Sequence, residues 1–177
     1  RRKLSAEILP AVIDWQKERH YPFSLSTQAS INLADDEELM RLMGETGFDM
    51  VFVGIESPNE ESLVECNKLQ NKNRDLLAAV KKMQSYGLQV QGGFIVGFDS
   101  DPVSIFKSQI EFIQKSGIVT AMVGVLMAPP QTRLYQRLKE ENRLLPKGSG
   151  DNTDGSTNFI PKMGRETLAR GYKHIVD

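Results

Sequence analysis

Two rhythms of apolar residues alternate along this chain. Helical spacing runs through Leu76, Leu77, Val80 and Met83, and again through Val103, Phe106, Ile110 and Ile113. Between such segments lie short apolar runs with a period of two. Three times an amphipathic run ends in glycine and a hydrophobic run follows. Glu45-Thr46-Gly47-Phe48 leads into residues 50–55, Ser85-Tyr86-Gly87 into 88–96, and Lys115-Ser116-Gly117 into 118–126. Glycine just past a helix end adopts the left-handed conformation that stops it, so each phrase predicts a helix feeding a strand. A further helix, from Leu4 to about Arg19, leads through Tyr21-Pro22 into a strand over 23–28. The expectation is four strands, near residues 23, 50, 88 and 118.

Asp35-Asp36-Glu37-Glu38 and Ser57-Pro58-Asn59-Glu60 have capping-box spacing, with Pro58 suited to a first turn, and Asp101-Pro102 reads the same way. Asp35, Ser57 and Asp101 are therefore expected to cap helices. Met40, Met43 and Met83 fall on helix faces and are expected in the core. Residues 146–158 collect Gly, Ser, Asp, Asn and Thr, the composition of a loop. Arg165 to Val176 carries Leu168, Tyr172 and Ile175 at helical spacing, as a docking helix or the start of a further domain would. The expected division is 1–145 for the strand-helix repeat and 146–177 for a loop and helix that extend it.

Strands joined by single crossover helices are parallel. Phe23, Leu25 and Thr27 oppose Ser24, Ser26 and Gln28, and Leu88, Val90, Phe94 and Val96 oppose Gln89, Gln91 and Gly93. A doubly wound sheet buries both faces and would read apolar on both. One polar or small face favours the other layout, an α/β fold forming a partial (βα) TIM-like barrel: about four parallel strands, outer helices, an open half-barrel with a polar lumen.

The 177 residues are 40% hydrophobic and 25% charged, enough for one domain with a core. A net charge of -1 gives no footprint for nucleic acid or an anionic membrane. No apolar run approaches the roughly 20 residues that span a bilayer, and Arg1-Arg2-Lys3 is not followed by a signal-peptide core, so a cytoplasmic address is expected. One cysteine, Cys66, cannot hold an iron-sulfur or zinc centre alone, and no metal ligand is assigned; Cys66, His20 and His174 read as bystanders.

Parallel βα folds bind ligands at the carboxyl ends of their strands. There the chain places Gln28, Ser30 and Asn32, then Glu56, then Gly97-Phe98-Asp99, then Met127 to Pro130. Glu56 shares its facing with Met50, Phe52 and Gly54, so its carboxylate points into the lumen and needs a partner: a ligand hydroxyl or amine, or an ion pair or hydrogen bond from a neighbouring loop. Asp99 suits either a functional or a turn role. Gln28 and Gln91 line the lumen, as ligand contacts or as a pair across it. Gly92-Gly93-Phe94-Ile95-Val96-Gly97 lacks the Lys-Ser or Lys-Thr of a phosphate loop. Its strand glycines leave room for a flat ligand or mark a barrel bend.

Taken together, Ser26-Thr27-Gln28-Ala29-Ser30 through Asn32, Val53-Gly54-Ile55-Glu56-Ser57, and Gly92-Gly93-Phe94-Ile95-Val96-Gly97-Phe98-Asp99 resemble the third to sixth strands of radical S-adenosylmethionine (radical SAM) enzymes. The likeness is greatest to the subfamily with a cobalamin-binding domain ahead of the barrel, and Asn158-Phe159-Ile160-Pro161-Lys162-Met163 resembles that subfamily's C-terminal extension. The resemblance implies reductive cleavage of SAM by a four-iron cluster for radical chemistry on a small-molecule substrate, with cobalamin and methyl transfer in prospect. By position, Glu56 would contact the SAM ribose or amino acid portion. Gly93 to Gly97 would border the adenine, backbone at Leu126 and Met127 would bond its edge, and Ser26, Gln28, Asn32 and Gln91 would line the lumen. The family's CxxxCxxC loop and first two strands are not in this sequence, so the chain is expected to be part of a longer protein and inactive alone, with strand edges that could pair copies. The alternative is a non-catalytic βα-barrel module that binds a partner.

Overall fold

A computed structural model describes residues 3–146 and 150–177. Leu4–Ile8 winds as a π-helical turn that continues directly into α1 (Leu9–Glu18), with Pro10 at its second position. There follow β1 (Leu25–Ala29), a 3-10 turn (Ile31–Asp35), α2 (Glu37–Thr46), β2 (Phe48–Glu56), α3 (Glu60–Glu65), a second 3-10 turn (Leu69–Asn71) and α4 (Leu76–Ser85). After these come β3 (Gln89–Val96), α5 (Ile105–Ser116), β4 (Thr120–Val125), α6 (Arg133–Glu140) and α7 (Arg165–Val176).

The strands form one sheet in the order β1-β2-β3-β4. β1 pairs in parallel with β2, Ser26 opposite Met50 and Ala29 opposite Val53. A doubly wound sheet reverses its order at a switch point, whereas successive right-handed crossovers lay strands down in sequence, as here. The four parallel strands with intervening helices are thus a (βα)-barrel segment.

The glycine stops fall where the sequence puts them. Gly47 has φ of 95° and returns its N–H to the carbonyls of Met43 and Gly44; a Cβ there would lie 2.8 Å from Gln16 Nε2. Facing also follows the alternation. Val51, Val53 and Ile55 are fully buried while Phe52, Gly54 and Glu56 are partly exposed, and Val90, Phe94 and Val96 are buried opposite Gln91 and Gly93. β1 departs from the pattern. Ser26, Thr27 and Gln28 are all exposed because β1 is an edge strand, and Phe23 lies before it, 59% exposed and stacked on Trp15.

The caps need correcting. Asp36, not Asp35, caps α2 by accepting from the Leu39 N–H at 3.0 Å, because Ile31–Asp35 closes as its own turn. Asp35 instead receives both arms of Arg74, at 2.7 Å each. Ser57 is not the cap of α3. The cap position falls to Asn59, whose N–H donates to Ser57 Oγ at 3.1 Å, and Pro58 precedes the helix. Asp101 lies four residues ahead of α5 and serves the turn before it. α6 is an element the apolar rhythm did not announce; Thr132 caps it, accepting from the Tyr135 N–H at 3.2 Å.

Two compact units divide the chain. The first gathers the chain up to Ile55 with Asn73–Gly92 and Ile113–Ala121. Its core includes Ile13, Met40, Met43, Val53, Val80 and Met83, and buried Gln16 donates to the carbonyls of Phe23 (2.8 Å) and Thr46 (3.0 Å). The second comprises Glu56–Lys72, Gly93–Phe112 and Met122–Asp177. Phe94, Val125, Leu138, Phe159 and Leu168 are buried in it, and the Phe106 ring occupies the space a side chain on Gly171 would need.

Candidate functional site

The strand ends of the second unit bring together charged groups from four segments. Glu56 closes β2 with φ of 66°, a left-handed conformation that costs an ordinary residue about 1 to 2 kcal/mol. Its Oε1 lies 2.7 Å from Lys68 Nζ, and the two side chains are 20% and 26% exposed. The carboxylate's partner in this chain is therefore a lysine beyond α3.

Beyond β3 the chain turns at Gly97, φ 104°, with Leu168 3.1 Å from where a Cβ would stand. Buried Asp101 organises this turn: Oδ2 accepts from the N–H groups of Gly97 (2.8 Å) and Phe98 (3.0 Å), and Oδ1 from the Ser62 hydroxyl (2.5 Å). Burial raises its pKa, and those same bonds pull against the rise. Glu65, at the end of α3, accepts from the N–H groups of Asp99 (3.3 Å) and Ser100 (2.9 Å) and from the Ser100 hydroxyl (2.8 Å). Asn59 Nδ2 donates to the Ser100 carbonyl at 3.0 Å. α3 thus fixes the loop after the neighbouring strand, which a glycine-rich turn could not do alone.

Asp99, 5% exposed, meets three cations. Arg143 is bidentate on it, Arg137 Nη1 approaches to 2.9 Å and Lys162 Nζ to 3.9 Å, while Arg137 Nη2 reaches Glu65 at 3.0 Å. Burial would raise the Asp99 pKa, but the bonds and charge of Arg143, with Arg137 and Lys162, hold it below the ordinary carboxylate value. Asp99 is accordingly the hub of an ion network joining the β3 turn to α6 and the segment after it.

The Leu126 N–H donates to the Val96 carbonyl (2.8 Å) and its carbonyl accepts from Thr157 Oγ1 (2.9 Å). Met127 lines a cavity of about 360 Å³ with Pro129, Pro130, Tyr135, Leu145 and Asn158. A larger one, of about 730 Å³, is bordered by Cys66, Phe98, Leu126, Arg133 and Arg137. Gly93 is part-exposed on β3. Ser26, Gln28, Asn32 and Gln91 belong to the first unit. There Ser26 and Gln28 are exposed, Gln91 is part-exposed, and the Asn32 N–H donates to Ser30 Oγ at 3.2 Å. Asn32 Oδ1 is buried with no hydrogen bond among the described residues. No three His, Cys, Asp or Glu side chains converge as a metal site among the described residues, so those present do not fit an iron-sulfur cluster. No helix among them is long and apolar enough to cross a membrane.

Sequence reasoning missed Lys68, Glu65, Arg137 and Arg143. Only Arg133 and Arg137, one turn apart before Leu138, carried a signal, that of a helix with a basic stripe.

Comparison with known proteins agrees with this barrel segment. Residues 132–177 match a family model described as a domain of unknown function, DUF4070. The chain is 44% identical over 159 residues, 89% of its length, to an uncharacterized methyltransferase of Synechocystis sp.. It is 32% identical over 178 residues, 97% of its length, to the hopanoid C-2 methylase of Rhodopseudomonas palustris. It covers 30% and 33% of those proteins, so it spans about a third of the curated relatives it matches. Among solved structures, the radical SAM methyltransferase TsrM of Kitasatospora setae, determined with cobalamin and a [4Fe-4S] cluster bound, superposes with a TM-score of 0.65 at 14% identity. That match covers 96% of this chain and 36% of TsrM. The chain belongs to the family of the Synechocystis methyltransferase and the hopanoid C-2 methylase, and its fold is that of the corresponding part of TsrM.

Proposed function

We propose that the whole protein is a radical SAM methyltransferase that uses cobalamin and acts on a small molecule, and that this chain supplies the part of the barrel that holds SAM. The observation that carries this reading is Glu56: a part-buried carboxylate at a strand's carboxyl end, kept in a left-handed conformation and balanced by one lysine. Backbone strain of that kind persists where the surrounding structure holds a group in place for a task. The relatives named as methylases and the barrel shared with TsrM support the same reading.

SAM beside a reduced four-iron cluster supplies reductive cleavage, and cobalamin supplies a methyl carrier. Within this chain Glu56 accepts from a ribose hydroxyl or the ammonium of SAM, and Lys68, 2.7 Å away, orients the carboxylate. Gly93 to Gly97 presents backbone to a flat ring, and the Leu126 carbonyl keeps one lone pair beside its bond to Thr157. Met127 forms wall. The ligands of such a cluster would lie outside these residues, and this chain would be inactive on its own.

The test is made on the full-length protein, reconstituted with iron and sulfide without oxygen and given SAM, dithionite and methylcobalamin. Formation of 5′-deoxyadenosine or S-adenosylhomocysteine, depressed in Glu56→Gln, is the expected result. Neither product from a folded, cluster-loaded protein overturns the reading and favours a partner-binding module.

A further inference from the structure

The larger cavity, about 730 Å³, lies within the second unit, between the end of α3, the turn after β3, the end of β4 and the start of α6. Its volume suits a ligand of drug-like size. Phe98, Leu126 and Leu134 make part of its wall apolar, and two guanidinium groups stand on the same wall. They are in different electrical states. Arg137 is already engaged, with Glu65 at 3.0 Å and Asp99 at 2.9 Å. Arg133, the first residue of α6, is exposed and has no ion pair or hydrogen bond from its side chain among the described residues. Cys66 adds no charge near neutral pH, since partial desolvation against the cavity wall raises its thiol pKa. Glu65 and Arg137 offset one another on this wall, and Arg133 is left uncompensated.

A wall of this kind selects on two counts. Apolar surface favours a hydrophobic body by removing its area from water, and the planar guanidinium fork matches a carboxylate, sulfonate or phosphate with two parallel hydrogen bonds. A neutral sterol-like molecule would leave Arg133 unused, and a small polar anion would leave the apolar wall uncovered. We propose that this cavity is the substrate site, that the substrate is an amphiphile with a hydrophobic body and one anionic group, and that Arg133 grips that group. Calling the ligand a substrate rests on the functional reading above; the binding chemistry does not.

The probes are 8-anilinonaphthalene-1-sulfonate and its uncharged counterpart N-phenyl-1-naphthylamine, titrated by fluorescence against the full-length protein and its Arg133→Gln and Arg133→Lys variants. Arg133→Gln should bind the sulfonate about tenfold more weakly, the size of one lost charge-assisted contact, and the neutral probe within about twofold of wild type. Arg133→Lys should recover part of the loss. Cys66 borders the same cavity and is exposed, so its alkylation by iodoacetamide, followed on its peptide by mass spectrometry, should slow when the sulfonate saturates the wild type. Equal sulfonate affinity in wild type and Arg133→Gln, or alkylation of Cys66 indifferent to the probe, overturns the proposal. Circular dichroism melts confirm that the variants are folded, as expected for an exposed side chain without contacts. Failure of the radical SAM reading would appear separately, as a wild-type protein that yields no SAM-derived product whatever these titrations give.

Discussion

Arg143 holds Asp99 with both arms of its guanidinium, Nη2 to Oδ1 at 2.6 Å and Nη1 to Oδ2 at 2.8 Å. The carboxylate it holds is almost wholly buried and also takes Arg137. Removing one member of such a set leaves like charges facing each other with nothing between them. Asp99→Asn should cost about 3 kcal/mol, toward the low end for a broken buried pair because Arg137 is 38% exposed. Urea denaturation at pH 7 measures it, and a loss under about 0.5 kcal/mol would mean that the network is ornamental.

The same pair sets an acid limb. The folded pKa of Asp99 lies below its unfolded value, about 3.9. Its contribution is complete above that unfolded value and is lost as the pH falls through the folded one. Asp101 has the opposite sign, since its folded pKa is raised: its contribution declines as the pH rises from about 3.9 through the folded value. Stability measured against pH should therefore fall less steeply on acidification in Asp99→Asn than in wild type.

Asp101 also predicts a difference between two substitutions. In Asp101→Asn the amide oxygen can still accept from Gly97 and Phe98 while the amide nitrogen donates to Ser62, so stability at pH 7 should stay within about 1 kcal/mol of wild type. Asp101→Ala orphans two backbone donors and a hydroxyl and should cost about 3 kcal/mol. Equal effects of the two would show that hydrogen bonding is not what this residue contributes.

At Glu56, stability and binding should part company. Glu56→Gly loses one part-exposed ion pair, worth up to about 1 kcal/mol, and relieves about 1 kcal/mol of left-handed strain, so its melting temperature should barely move. SAM affinity in the full-length protein, read by calorimetry, should fall about tenfold or more. A variant that binds SAM normally would remove Glu56 from the site.

Gly171 is fixed by packing. A Cβ there would stand 2.2 Å from the Phe106 ring, far inside contact, so Gly171→Ala should destabilise by about 2 to 3 kcal/mol. Phe106→Leu in the same background should recover part of it, which a backbone effect at Gly171 would not allow.

Much of the scaffold was legible because its signals are local. Gly47, Gly87 and Gly117 end helices within three residues of the strands they announce, and the alternation through β2 and β3 gives the burial of each residue directly. Caps were legible only to within a residue or two, since Asp35 and Asp36 have the same chemistry and the backbone decides between them. Glu65 and Arg137 are 72 residues apart, and nothing in either neighbourhood marks the other. Glu56 was found by parity, whereas Lys68 was not, because a lysine in a polar loop reads as solvated until the fold brings a carboxylate to it.

Asn158 binds Ala128 as a neighbouring strand would, its amide nitrogen donating to the Ala128 carbonyl and its amide oxygen accepting from the Ala128 N–H, each at 2.8 Å. Upstream, the Asn152 carbonyl accepts from the Val125 N–H at 2.7 Å. A side chain and a loop therefore stand where another chain would otherwise seat itself against the end of β4, and they do so without offering a fresh row of donors and acceptors to the next arrival. An arriving strand would have to displace that loop before it could pair with the end of β4.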